Sequence, residues 1–176
     1  MNNRSGLLQT LLSAFPVSRI RRNHGLEHAT LHILSERYPK INLAGHSDMG
    51  GFWVLGDVST EEVESAVNEG LDRMRNGEHN LAVHPNCGTN FVTAGTFAGV
   101  AASLAMLGVG RRFRDKLERV PLAASLATVA LMFAQPMGLI IQERVTTSGA
   151  PEALEVVDIV PSHRGRIKAH RVITEG

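Results

Sequence analysis

A chain of 176 residues and 19.0 kDa is long enough for one domain of ordinary size. Its formal net charge of +1 excludes the strongly basic balance of a nucleic-acid-binding protein, and no nucleic-acid partner is expected. The single cysteine, Cys87, excludes an intrachain disulfide.

Residues 1 to 22 join an apolar run (6 to 17) to Arg19, Arg21 and Arg22, the pattern of an amphipathic, interfacial leader. The run lacks the basic start and small-residue cleavage site of a signal peptide. His24-Gly25-Leu26-Glu27-His28 follows. On a helix His24 and His28 lie one above the other, and Glu27 projects about 60° round from His24. Two imidazoles and a carboxylate so placed suit one zinc ion, with the glutamate able to take a proton from water on the metal. The same helix carries Leu26, Ala29, Leu31 and Ile33, so its polar residues are expected to be buried and in need of partners. Asn23 or Ser18 is the expected cap, and Pro39 closes the helix after Tyr38.

Residues 41 to 45 and 51 to 56 read as two short strands about a turn at residues 47 to 50. Ser59 and Glu62 have the capping-box spacing, opening a second helix that Gly77 closes. Residues 81 to 83 read as a third strand leading to His84-Pro85-Asn86-Cys87-Gly88-Thr89-Asn90. A thiol at a helix start has a lowered pKa, so either Cys87 or His84 is the natural third metal ligand. Asn86 and Asn90 are candidate oxyanion donors, or caps of the following helix. His32, His46 and Asp48 are reserves, whereas His163 and His170 are expected at the surface.

Residues 91 to 110 and 120 to 141 contain no charge, and each is long enough to cross a hydrocarbon core of ~30 Å. They predict a two-helix transmembrane hairpin, with Gly95, Gly99, Ala102, Ser103, Ala123, Ala124 and Ala127 permitting close helix approach. Gln135 and Pro136 mark a kink or an interhelical hydrogen bond. The basic loop from Arg111 to Arg119 favours cytoplasm for itself, while the missing signal peptide favours cytoplasm for the tails; the soluble part is assigned to the cytoplasm. Residues 154 to 160 and 166 to 173 read as a closing β-hairpin.

The expected architecture is a small α+β extramembrane domain of residues 23 to 90, joined by a transmembrane hairpin (91 to 141) to a C-terminal β-hairpin (142 to 176) that packs back on it. The segment from 23 to 76, with His24, Leu26, Glu27, His28 and Asn42, resembles the start of pitrilysin- and insulysin-type zinc peptidases. That likeness implies a motif helix, a strand pair, a second helix and zinc-dependent peptide hydrolysis. Those families complete the site with a glutamate from a later helix, which this chain lacks in the equivalent place. The whole chain, with HGLEHAT and HPNCGTN flanking the apolar runs, also resembles an uncharacterised bacterial membrane-protein family of unknown function.

The resulting expectation is a zinc hydrolase of the bacterial cytoplasmic membrane. His24 and His28 hold zinc with His84 or Cys87, and Glu27 activates water. The expected partners are the lipid bilayer, a membrane-proximal peptide or lipid-linked substrate, and further copies or subunits of a complex. The alternatives are a non-catalytic structural or sensory metal site, and a thiol enzyme built on Cys87.

Overall fold

A computed structural model describes residues 3–176, with side chains from Gly6 onward; Met1 and Asn2, where the expected leader begins, lie outside the described residues. The chain forms two units, one of residues up to 84 together with 143–176, the other of residues 85–142.

The first unit contains α1 (Asn3–Ser13), α2 (Val17–Arg37), β1 (Ala44–Asp48), β2 (Gly51–Leu55), α3 (Thr60–Arg75), β3 (Glu155–Arg164) and β4 (Ile167–Glu175). Its antiparallel sheet has the order β1-β2-β4-β3. Alternation along β2 sends Phe52 and Val54 inward, where they meet Val172 of β4, Leu26, Ile33 and Leu34 of α2, and Val63, Val67 and Met74 of α3 in one buried core. The Ser59–Glu62 capping box opens α3 as its spacing predicts, and Gly77, at φ 97°, turns the chain away beyond its end.

Several sequence expectations shift. Helix α2 starts at Val17 without a side-chain cap, and Asn23 lies buried within it. Strand β1 sits three residues later than expected, because the pairing Asp48↔Gly51 leaves a two-residue turn in which Asp48 Oδ1 accepts from the Gly50 amide at 2.8 Å. The expected third strand is instead a 3₁₀ turn, His79–Ala82, whose amides bond locally: Leu81 N to Glu78 O at 3.2 Å, then Val83 N to Asn80 O at 3.1 Å. The C-terminal hairpin forms, and pairing of β4 with β2 makes residues 143–176 part of the N-terminal fold.

The second unit is a helical pair, α4 (Gly88–Ala105) and α5 (Phe113–Ile141), so the basic segment expected as a loop largely forms the first turns of α5. Among the described residues one helix, continuous from Phe113 to Thr146, is long and apolar enough to cross a membrane. This replaces the expected two-span hairpin. Helix α4 has 18 residues, about 27 Å at 1.5 Å per residue, and Asn90, three threonines and three glycines dilute its apolar character.

The small-residue expectation also changes. A Cβ added to Gly95 or Gly99 would meet nothing within 4 Å, whereas one on Gly138 would stand 3.2 Å from Asn90 Cα and closer still to its Oδ1. Close approach therefore occurs at Gly138, where the buried Gln142 donates from Nε2 to Asn90 Oδ1 at 2.6 Å. Gln135 is exposed and Pro136 lies within a continuing helix. Accordingly Gly138→Val should separate α4 from α5 and lower the thermal midpoint. Gly99→Val should leave it within about 2 °C, since an exposed substitution that meets no neighbour costs little.

His170, expected at the surface, is 3% exposed, because its register opposite Val54 points it inward. Burial first, then Lys168 and His163, hold its pKa below the ordinary imidazole value, with Glu61 opposing them. The unfolded chain therefore binds a proton at His170 before the folded one does. Stability contributed by neutral His170 is present above about pH 6.5 and lost as pH falls through the lower folded value. Denaturant midpoints compared at about pH 7.5 and pH 5 should show a smaller acid loss in His170→Gln than in the wild type.

Candidate metal centre

Helix α2 buries Asn23, Glu27, His28 and Thr30 together with its apolar residues, so each polar group requires a partner. Asn23 donates to Asp48 O at 2.8 Å and accepts from Thr174 Oγ1 at 2.7 Å. Thr30 donates to Leu26 O at 2.8 Å, within its own helix.

The histidines use backbone carbonyls. His28 Nδ1 lies 2.7 Å from Ala82 O, and His24 Nδ1 lies 2.9 Å from Thr146 O. A carbonyl only accepts, so each Nδ1 carries hydrogen and, in the neutral ring, the lone pair is on Nε2. That is the arrangement in which a second interaction fixes the tautomer and orientation of a metal-ligating histidine. His32 is held through the other nitrogen, Nε2 donating to Val83 O at 2.9 Å.

Imidazoles run in a row: His24 to His28 at 4.4 Å between centroids, His28 to His84 at 5.7 Å, and His84 to His32 at 4.6 Å. Burial, and then the neighbouring His32, lower the pKa of His84 and favour its neutral form. Glu27, 4% exposed, stands against Gly45 of β1. At Gly25 a Cβ would run into the Ser148 carbonyl, so this glycine admits the segment that follows residue 143; Ser148 N donates to Arg21 O at 2.9 Å.

Arg19, Arg21 and Arg22 hold that same C-terminal segment. Arg19 donates to Thr174 O, Arg21 to Thr147 O at 2.8 Å, and Arg22 pairs with Glu152 at 2.8 Å. A cavity of about 470 Å³ is lined in part by Ala82, Val83, Thr147 and Glu143, so the backbone that supports the histidine row also walls a space of ligand size.

His24, His28 and Cys87 form a group that could bind a metal ion. Cys87 is buried at the N-cap of α4, where its Sγ accepts from Thr89 N at 3.4 Å. Imidazole nitrogen and thiolate sulfur are the donor set that zinc takes, so the chemistry of these residues fits it.

Asn86 is exposed, and Asn90 donates to Pro85 O at 2.6 Å while accepting from Gln142. His46 is exposed opposite Trp53, and Asp48 is engaged by both terminal nitrogens of Arg171 at 2.9 and 2.7 Å. The carbonyls of Ala82, Val83 and Thr146 were not foreseen, since every residue type has one. Gly25 and Gly45 were equally silent, because a glycine's need for room depends on which neighbour arrives.

An α2 histidine motif on a four-stranded sheet, with a helical pair inserted between residues 84 and 143, is an α+β protein bearing a metal-binding candidate site and one membrane-length helix. The chain belongs to the family described as domain of unknown function DUF6391, whose model matches residues 19–159. It is 37% identical over 139 residues to an uncharacterized protein of Picosynechococcus sp. (strain ATCC 27264 / PCC 7002 / PR-6), covering 73% of this chain and 66% of that protein. The chain thus spans just under two thirds of its relative's length. No solved structure matches it.

If the two helical histidines are ligands, His24→Ala and His28→Ala should each abolish equimolar metal binding, because no neighbour at helical spacing can replace the lost bond. Metal content of purified protein by elemental analysis is the check; unchanged content in both variants would remove the site.

Proposed function

We propose that this protein is a membrane-anchored, zinc-dependent hydrolase of peptidase-like chemistry. The observation that carries the reading is the pair of carbonyl-held histidines, His24 and His28, with a buried glutamate between them in sequence. Zinc would be held by Nε2 of His24, Nε2 of His28 and Sγ of Cys87, and when bound would lower the pKa of coordinated water toward neutrality. With zinc held there, Glu27 would be the base that takes a proton from the attacking water and returns it to the leaving group. Burial limits the solvent around Glu27. His84, kept neutral beside His28, is available to stabilise developing charge or to serve as a fourth donor.

Anchoring in the bacterial cytoplasmic membrane would come from α5, with the exposed Leu7, Leu8, Leu11 and Phe15 of the leader at the lipid surface. The soluble unit then lies on the cytoplasmic side and acts on membrane-proximal peptides or lipid-linked substrates, alone or as a subunit of a complex. Substrate would enter the cavity walled by Ala82, Val83 and Thr147.

The second reading is a non-catalytic structural or sensory metal site. The proximity of His84 to His28 favours it, because a fourth donor leaves no position for water. Glu27→Gln separates the two. In a hydrolase the variant folds and keeps its metal while losing turnover, since the amide has the carboxylate's shape but cannot act as a base. If Glu27 instead only orients a ligand, metal affinity should fall by roughly 10- to 100-fold, as such losses do. Metal affinity and thermal midpoint of this variant decide the matter before any substrate is known.

A further inference from the structure

The placement of Glu27 depends on a residue with no side chain. A Cβ built on Gly45 would stand 2.8 Å from Glu27 Cγ and 2.7 Å from Glu27 Cδ, and closer still to Oε1; these are its three nearest neighbours, and all belong to Glu27. Carbon atoms in contact prefer separations of about 3.5–4.0 Å, so a side chain at residue 45 and the Glu27 carboxylate cannot both keep these places.

Conformation does not require the glycine. Gly45 lies within strand β1, paired with Val54, and its φ is outside the left-handed region that glycine alone tolerates freely. Space is the remaining reason. Glu27, being 4% exposed and on a helix packed against β1, has little room to swing elsewhere without displacing its neighbours.

We infer that Gly45 is a positioning residue for Glu27: the notch left by its missing side chain sets where the carboxylate stands relative to His24 and His28. This rests on the hydrolase reading for its chemical consequence, though not for the contact itself. Any side chain at residue 45 pushes the carboxylate off its place while leaving both histidines and their carbonyl partners as they are. Gly45 touches no reacting atom and acts only through Glu27.

The test has two parts, and neither needs a substrate. The first is a thermal double-mutant cycle on the metal-free protein. Gly45→Ala should lower the midpoint by about 4–10 °C, the range expected for overpacking one buried methyl group in a chain of this size. Combining it with Glu27→Asp, which withdraws the carboxylate by one methylene, should recover at least half of that loss. Gly45→Ala that is insoluble alone but soluble with Glu27→Asp counts as the same coupling. Additive effects of the two substitutions would overturn the inference, because residues that do not touch add.

The second part loads the protein with cobalt(II) and follows its visible spectrum against pH. Gly45→Ala should retain equimolar cobalt and shift the spectral pH midpoint in the same direction as Glu27→Gln, with no further shift when the two are combined. A midpoint unchanged by Gly45→Ala would overturn the positioning role, since a purely structural glycine would move stability alone. A wild-type protein that binds no cobalt would overturn the metal reading and, with it, the chemical role of the notch. Loss of thermal coupling would overturn the role of Gly45 whatever the metal does.

Discussion

A helix that buries polar side chains has to find partners for all of them, and α2 imposes that requirement on the rest of its unit. Left unsatisfied, each such group costs roughly 1–3 kcal/mol. The partners come from distant parts of the chain: Asp48 and Thr174 for Asn23, Thr146 for His24, Ala82 for His28 and Val83 for His32. Each bond ties a separate segment to the same helix, so the polar motif organises the fold as well as supplying its candidate chemistry.

This explains two irregular stretches of backbone. Residues 79–84 form a 3₁₀ turn and an extended exit because two consecutive carbonyls, Ala82 and Val83, are turned toward α2. A strand at that place would send alternate carbonyls in opposite directions and could not serve both rings. Likewise the segment after residue 143 runs close against α2 at Gly25, and the arginines of the first α2 turns clasp its backbone. Arginine suits the task, since its planar fork can reach several acceptors at once. Basic residues that resembled a membrane-surface patch are largely engaged inside the protein.

The helical pair follows different physics. Its apolar side chains are mostly exposed, from Phe91 and Val92 on α4 to Met132, Phe133 and Ile140 on α5, and of the two helices α5 is the one long and apolar enough to cross a membrane. At one end of the pair Gly138 admits Asn90, and Gln142 bonds to it. Where the surroundings are as apolar as the helices, small residues and polar bonds hold helices together better than burial does.

Much of the local structure could be read from residue order alone. The helix carrying His24, Glu27 and His28, the capping box of α3, the β3–β4 hairpin and the membrane-length apolar run are all patterns within a few turns or one strand pair, where geometry depends on spacing. What residue order could not decide involves contacts across long separations. It includes the choice of carbonyl for each histidine, the inward register of His170, the closeness of Gly138 rather than Gly95 or Gly99, and the notch at Gly45. Carbonyls are the same in every residue, and a glycine gives no sign of whether it serves a turn, a flexible joint or a close approach. Only when the sheet brings β4 beside β2, and α2 lies across it, do those silent groups acquire neighbours. Tertiary packing therefore determined which of the sequence's candidates meet, and which small residues make room for them.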